Sequence, residues 1–138
     1  MKLHFMTPWI RTMGVGALAG LGCIMAPPYL LPGGIRRTYE APLFPALRTA
    51  WENLAFLPTM LLLFILGMGL GAALPKSWRS VGISPLLLLP VAAILEMFAD
   101  PTSHNLWPIE FVFYGFVGLA SLAGALAGSL LKRRVPDC

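Results

Sequence analysis

Residues 56–99 read FLPTMLLLFILGMGLGAALPKSWRSVGISPLLLLPVAAILEMFA, which is two apolar runs of 19 residues joined by a six-residue polar turn. A helix rises about 1.5 Å per residue, so each run is long enough to cross about 30 Å of membrane hydrocarbon. Backbone polar groups in lipid must be satisfied within their own segment, and neither run alternates like a barrel strand. The stretch therefore predicts two transmembrane helices.

The composition extends this prediction to the whole chain. Of 138 residues, 57% are apolar and 12% charged, whereas soluble domains are about 45–50% apolar and about 25% charged. One small water-soluble core cannot bury that excess, which excludes a soluble enzyme, a disordered chain and a disulfide-stapled module. We expect an all-α integral membrane protein, a single domain over residues 1–138 with four transmembrane helices. The predicted spans are residues 13–31, 56–74, 81–99 and 107–131.

Basic residues in the gaps between runs predict the orientation. Cytoplasmic loops carry an excess of Lys and Arg, and an N-in, C-in arrangement places seven basic residues inside and three outside. The inner set is Lys2, Arg11, Lys76, Arg79, Lys132, Arg133 and Arg134, and the outer set is Arg36, Arg37 and Arg48. We therefore expect a multi-pass protein of the plasma membrane, specifically a bacterial inner membrane, with both termini inside.

The first outer connection is long and contains a helical pattern. Leu47, Trp51 and Leu54 recur at helical spacing, while Arg48 and Glu52 occupy other faces. This pattern predicts a short amphipathic interfacial helix over residues 43–55, between the first and second spans.

Small residues recur four apart in three of the predicted spans. Lipid provides little hydrophobic drive between helices, so such spacing promotes association by letting backbones approach closely. The pairs are Gly16 and Gly20, Gly67 and Gly71, and Gly124 and Gly128. With the N-terminus inside, all three pairs lie in the cytoplasmic half, so we expect the first, second and fourth spans to approach closely there.

The outer half carries prolines and aromatic residues instead. Consecutive Pro27 and Pro28 remove two backbone donors and predict that the first span kinks or ends early. Pro85 and Pro90 similarly interrupt the third span. A bundle that is tight inside and splayed outside would contain an outward-facing aromatic groove, although bulky side chains filling that volume are the simpler interpretation.

One polar cluster lies near the outer end of the third span. Glu96 lies inside the apolar run, and Asp100 follows at i+4 on the same helix face. Together with His104 and Glu110, and with Tyr114 nearby, these residues are the candidate site for a cation or another ligand. Carboxylates and one imidazole can ligate a metal, although the spacing matches no established metal motif.

The same residues also have a purely structural interpretation. Asp100 before Pro101 is ordinary turn chemistry, and Asn105 can cap the next helix. Glu110 near that helix's N-terminus complements its dipole, and Tyr114 suits an interfacial anchor. The sequence identifies no cofactor, so the assignment of a metal or cofactor stays open.

Other partners follow from the charge pattern. The basic residues form neither one face nor an aromatic-interleaved stripe, so nucleic acid is not an expected partner. The tail Lys132-Arg133-Arg134 predicts a membrane stop anchor, with anionic lipid binding as a secondary interpretation. The lipid bilayer and further membrane subunits, including copies of the chain itself, are the expected partners.

Three functions fit this pattern. The first is a non-catalytic membrane subunit, either a homo-oligomer or the accessory or scaffold component of a larger complex. The second is a small transporter or channel for a cation or amphipathic amine, which uses an outward-facing acidic groove. The third is a membrane-embedded enzyme or metal site at the turn between the third and fourth spans. Transport and catalysis usually need several buried polar groups, so the first function is favoured over an enzyme.

Overall fold

The computed structural model describes residues 8–33, 52–99 and 107–134, and these residues are helical, without a strand. The architecture is that of a helical membrane protein. The helices are α1 (Pro8–Leu30), α2 (Leu57–Ala73), α3 (Trp78–Ile83), α4 (Leu88–Ala99) and α5 (Trp107–Arg134), with a 3₁₀ turn at Ser84–Leu86 between α3 and α4. Most of the predicted amphipathic segment 43–55, together with Asp100 and His104, lies outside the described residues.

Two helices are long and apolar enough to cross a membrane by themselves. They are α1, with 23 residues, and the part of α5 from Pro108 to Arg134, with 27. The segments on either side of the 3₁₀ turn pass the same test together, as a pair bent by 43°. Helix α2 is apolar but shorter, with 17 residues, or about 26 Å at the standard rise.

The third predicted span is broken where the sequence places its first proline. Pro85 has no N–H to donate to the Val81 carbonyl four residues earlier. The Ser84 backbone N–H and the Ser84 hydroxyl, at 2.7 Å, donate to that carbonyl instead, and the backbone takes one 3₁₀ turn before α4 begins. A buried carbonyl is thus satisfied by the residue next to the proline, which lets the chain bend without leaving an orphaned acceptor.

The first helix continues through its two prolines, so of the two expected effects, a kink or an early end, the early end does not occur. Pro27 and Pro28 lie inside α1, which continues to Leu30, and both are buried. Just beyond the end of the helix, the Leu31 N–H donates to the Pro27 carbonyl at 2.9 Å. The helical hydrogen-bond pattern thus extends past both prolines.

Helices α2 and α5 pack backbone to backbone through their glycines. A Cβ atom added at Gly67 would overlap the Ser121 carbonyl oxygen, and one added at Gly71 would overlap that of Ala125. The contact is reciprocal, because Gly124 and Gly128 lie equally close to carbonyl oxygens of α2, those of Phe64 and Met68. The residue numbers of the contacting pairs increase together along the two helices, so α2 and α5 run parallel.

The glycines of α1 have a different neighbour from the one expected. Gly16 lies against the Ser84 side chain, and Gly20 lies against the Pro85 backbone. Among the described residues, α1 and α5 have no Cα atoms within 8 Å of each other. The first helix thus approaches α2 but not α5 as expected, because its glycines contact the backbone at the break in the third predicted span instead.

The hydrophobic core lies beyond these contacts, toward the Leu30 end of α1. Residues from every long segment meet there, and Leu54, just before α2, is fully buried among them. The cluster is Ile24, Leu54, Leu63, Leu86, Leu89, Ala93, Tyr114 and Val117. The end of the predicted amphipathic segment thus packs into the protein.

The glycine contact yields a matched pair of variants. We expect Gly71→Ala to lower the free energy of unfolding by about 1–3 kcal/mol, the usual cost of overpacking, since the Ala125 carbonyl leaves no room for a methyl group. Gly69→Ala, two residues away where a Cβ meets no atom within 4 Å, should be neutral or stabilising by up to about 1 kcal/mol. Denaturant titration in detergent micelles measures both, and equal effects would contradict the assigned contact.

Candidate functional site

An apolar crevice opens between the bent third span and α5. Its volume is about 320 Å³, room for roughly ten water-sized volumes. The lining residues are Ile83, Leu86, Leu87, Pro90, Phe111, Tyr114, Gly115, Gly118, Leu119 and Leu122. The backbone and the Tyr114 hydroxyl are the only polar groups that these residues bring to it.

The crevice results from two features of the chain. The 43° bend directs α4 away from α5, and two glycines on α5 leave the opposite wall without side chains. A Cβ added at Gly115 would meet nothing within 4 Å, and one at Gly118 would meet only Leu86 Cδ1, at 3.0 Å. The crevice therefore has room for a side chain beside Gly115.

Aromatic residues line one end of the crevice. Phe111 and Tyr114 make an edge-to-face contact, with ring centroids 5.9 Å apart and planes at 60°. This geometry is favourable for aromatic pairs and fixes Tyr114, which is 7% exposed. The predicted aromatic region thus forms one end of an open crevice.

Two residues of the predicted polar cluster are brought toward this end. The charges of Glu96 on α4 and Glu110 on α5 both act on the Tyr114 phenol. Neither carboxylate lines the crevice itself, so Tyr114 is the residue shared between the apolar volume and the acidic end. The other two predicted members, Asp100 and His104, lie outside the described residues.

No group of three or more His, Cys, Asp or Glu side chains suited to a metal ion occurs within residues 8–33, 52–99 and 107–134. At this end of the molecule, the carboxylates of Glu96 and Glu110 lie near the apolar wall of the crevice. That combination suits the cationic head and apolar tail of an amphipathic molecule.

Several buried polar side chains were not identified from the sequence. Asn53 and Thr59 are at most 2% exposed at the acidic end, and the hydroxyls of Thr59 and Ser121 have no hydrogen-bond partner in the described structure. Ser121 lies in the glycine contact with Gly67. The recurrence of small residues along α5 could have identified Ser121. A serine that lies between two pairs of glycines is placed where the helix backbones approach each other.

Charge is segregated along the molecule. Within the described ranges the three carboxylates, Glu52, Glu96 and Glu110, lie at the end where α2 and α5 begin. The basic residues lie at the opposite end, and they are Arg11, Lys76, Arg79, Lys132, Arg133 and Arg134. Arg11 belongs with this group because Gly16, just beyond it, contacts Leu70 near the end of α2.

No protein-family model, curated protein or solved structure matches the chain. Its function is therefore argued from its own geometry.

Proposed function

We propose that the chain is a four-span protein of a bacterial inner membrane with both ends in the cytoplasm. In this arrangement α1, α2, the bent pair α3–α4, and α5 each cross once. Helix α2, about 26 Å long, is short for a span, but slight thinning of the bilayer or flanking side chains accommodate such a mismatch at low cost.

The charge segregation supports this orientation. Six basic residues share the end that is assigned to the cytoplasm, as the positive-inside rule requires. The parallel course of α2 and α5 supports the proposed number of crossings, because two spanning helices separated by one further crossing must run in the same direction. The Pro75 turn and the basic tail consequently share one side of the membrane.

Cysteine labelling tests the orientation with two Ser→Cys variants made in a Cys23→Ser, Cys138→Ser background. We expect Ser103→Cys to react with a membrane-impermeant maleimide on intact spheroplasts. Ser80→Cys should react only after the membrane is permeabilised. Labelling of Ser80→Cys from outside, or of both positions alike, would contradict the N-in, C-in arrangement.

We further propose that the protein acts as a non-catalytic subunit, in a homo-oligomer or as the accessory or scaffold component of a larger membrane complex. The crevice carries this proposal, since it is an apolar surface open toward the lipid and bounded by Gly115 and Gly118. An apolar groove of this kind accepts side chains of a neighbouring helix. The glycine pairs of α2 and α5 face each other within the chain and are not available to a partner, whereas Gly115 lines the crevice and has open space beside it.

A photo-crosslinking amino acid at Gly115 tests this role, with Gly69 as the control. Both positions have open space around an added Cβ, but only Gly115 lines the crevice. We expect Gly115 to give a discrete protein adduct, either with a second copy or with another subunit, in intact membranes. Gly69 should give lipid adducts alone. The same lipid adducts from both positions would remove the subunit proposal.

A second function has a specific observation in its favour. Tyr114 lines the crevice and is acted on by the charges of Glu96 and Glu110. An amphipathic amine with its tail in the crevice would place its cation near these carboxylates. Binding or transport of such amines is therefore the alternative proposal.

This alternative predicts a charge-dependent affinity. We expect Glu96→Gln to weaken binding of a fluorescent long-chain amine in nanodiscs by about ten- to a hundredfold, the usual range for losing a charged partner. Glu96→Asp should retain most of the affinity, and a neutral alcohol with the same chain should bind both alike. Unchanged amine binding by Glu96→Gln would exclude the carboxylate from recognition.

The remaining hypothesis, an enzyme or metal site at Glu96, Asp100, His104 and Glu110, gains no support from the described geometry. Only two of these four residues lie in the described ranges. The apolar lining of the crevice favours a binding role over a reaction at its mouth.

A further inference from the structure

A second cavity lies at the basic end of the molecule, where the chain leaves α2 and where α5 ends. Its volume is about 410 Å³, and it is lined by Leu74, Pro75, Lys76, Ser77, Lys132 and Arg133. It is separate from the crevice and shares no residue with it.

The glycine contact brings these segments together although they are more than 50 residues apart in sequence. Gly71 against Ala125 and Gly128 against Met68 fix the last turns of α2 beside α5. Because the two helices run parallel, their C-terminal ends emerge side by side. Arg133 then donates from Nη2 to the Pro75 carbonyl at 3.3 Å and ties the two segments across the cavity.

Three cations from two segments thus surround one cavity. The side chains of Lys76, Lys132 and Arg133 are all exposed, and the lining residues that belong to the described part of the chain include no carboxylate. The carboxylates of the described ranges lie at the other end of the helices. Cationic side chains that line one cavity attract an anion to it.

The walls of the cavity indicate what kind of anion fits. Leu74 and Pro75 are apolar and lie directly beside the cationic heads. Next to the cavity, the Arg79 guanidinium lies 5.4 Å from the centroid of the Trp78 ring, a combination typical of the membrane–water interface. Basic pockets between transmembrane helices bind anionic lipid headgroups.

We propose that this cavity is a binding site for the phosphate headgroup of an anionic phospholipid, with Lys76, Lys132 and Arg133 as its cationic ligands. The acyl chains leave along the apolar side formed by Leu74 and Pro75. The site rests on the proposed membrane location of the chain. It does not rest on whether the crevice binds a partner subunit or an amphipathic amine.

The test compares two double variants that remove the same charge. Lys76→Gln with Lys132→Gln changes the cavity, whereas Arg79→Gln with Arg134→Gln removes two cations of the same end that do not line it. Retention of phosphatidylglycerol against phosphatidylcholine is measured by native mass spectrometry of the full chain. We expect roughly a 25-fold loss of preference in the cavity variant, about fivefold per cation, and a small loss in the control.

Equal losses in the two double variants would overturn the site, since general surface attraction would then explain them. A variant with Lys76→Arg and Lys132→Arg should keep the preference for phosphatidylglycerol. The unfolding midpoint of every variant is measured to check that it equals that of the wild-type chain.

The wild-type chain gives a readout that needs no variant. Lys76 and Lys132 should be protected from acetylation in phosphatidylglycerol nanodiscs relative to phosphatidylcholine nanodiscs, while Lys2 serves as the internal control. Equal protection of all three lysines would contradict a defined site. Protection of Lys76 and Lys132 by inorganic phosphate in phosphatidylcholine nanodiscs, with none from phosphatidylglycerol, would identify free phosphate instead and overturn the lipid assignment.

Discussion

The backbone contact between α2 and α5 is the constraint on which the rest of the structure depends. Lipid supplies no hydrophobic drive for helices to associate, so close packing and weak backbone contacts must hold them together. Four glycines on two helices allow this approach, each facing a carbonyl oxygen of the other helix. A single added methyl group at any of them meets a rigid backbone atom. Because α2 and α5 run parallel, their contact also determines which helix ends lie side by side, and hence which charged residues are neighbours.

The break in the third predicted span is the second feature that determines how the helices pack. Pro85 breaks the helix, Ser84 satisfies the carbonyl that the proline leaves, and the exposed backbone becomes the surface against which Gly20 packs. The same break directs α4 away from α5, so the bend that seats α1 on one side opens the crevice on the other. One proline thereby determines both a packing contact and a cavity.

Sequence reasoning could predict the helices and the role of the small residues, but it could not predict every pairing. Spacing of four identifies the face of a helix that a neighbour can approach and contains no information on which neighbour. Gly16 and Gly20 therefore carried the same signal as Gly67 and Gly71, yet α1 meets the 3₁₀ turn. Lys76 and Lys132 gave no local signal of a shared cavity, because their proximity follows from contacts made four to eight residues earlier along each helix.

The two cavities lie at different places along α5, and their chemistry differs. Toward the start of α5, an apolar wall meets Tyr114 and the charges of Glu96 and Glu110; toward its end, an apolar wall meets Lys76 and Arg133. The helices between them are joined through backbone contacts that leave no polar side chain spanning the middle of the described structure other than hydroxyls such as Ser121. A molecule with one charged and one apolar part fits either end, the sign of its charge deciding which. The proposed binding of an amine and of an anionic phospholipid therefore rests on the opposite charges of the two ends.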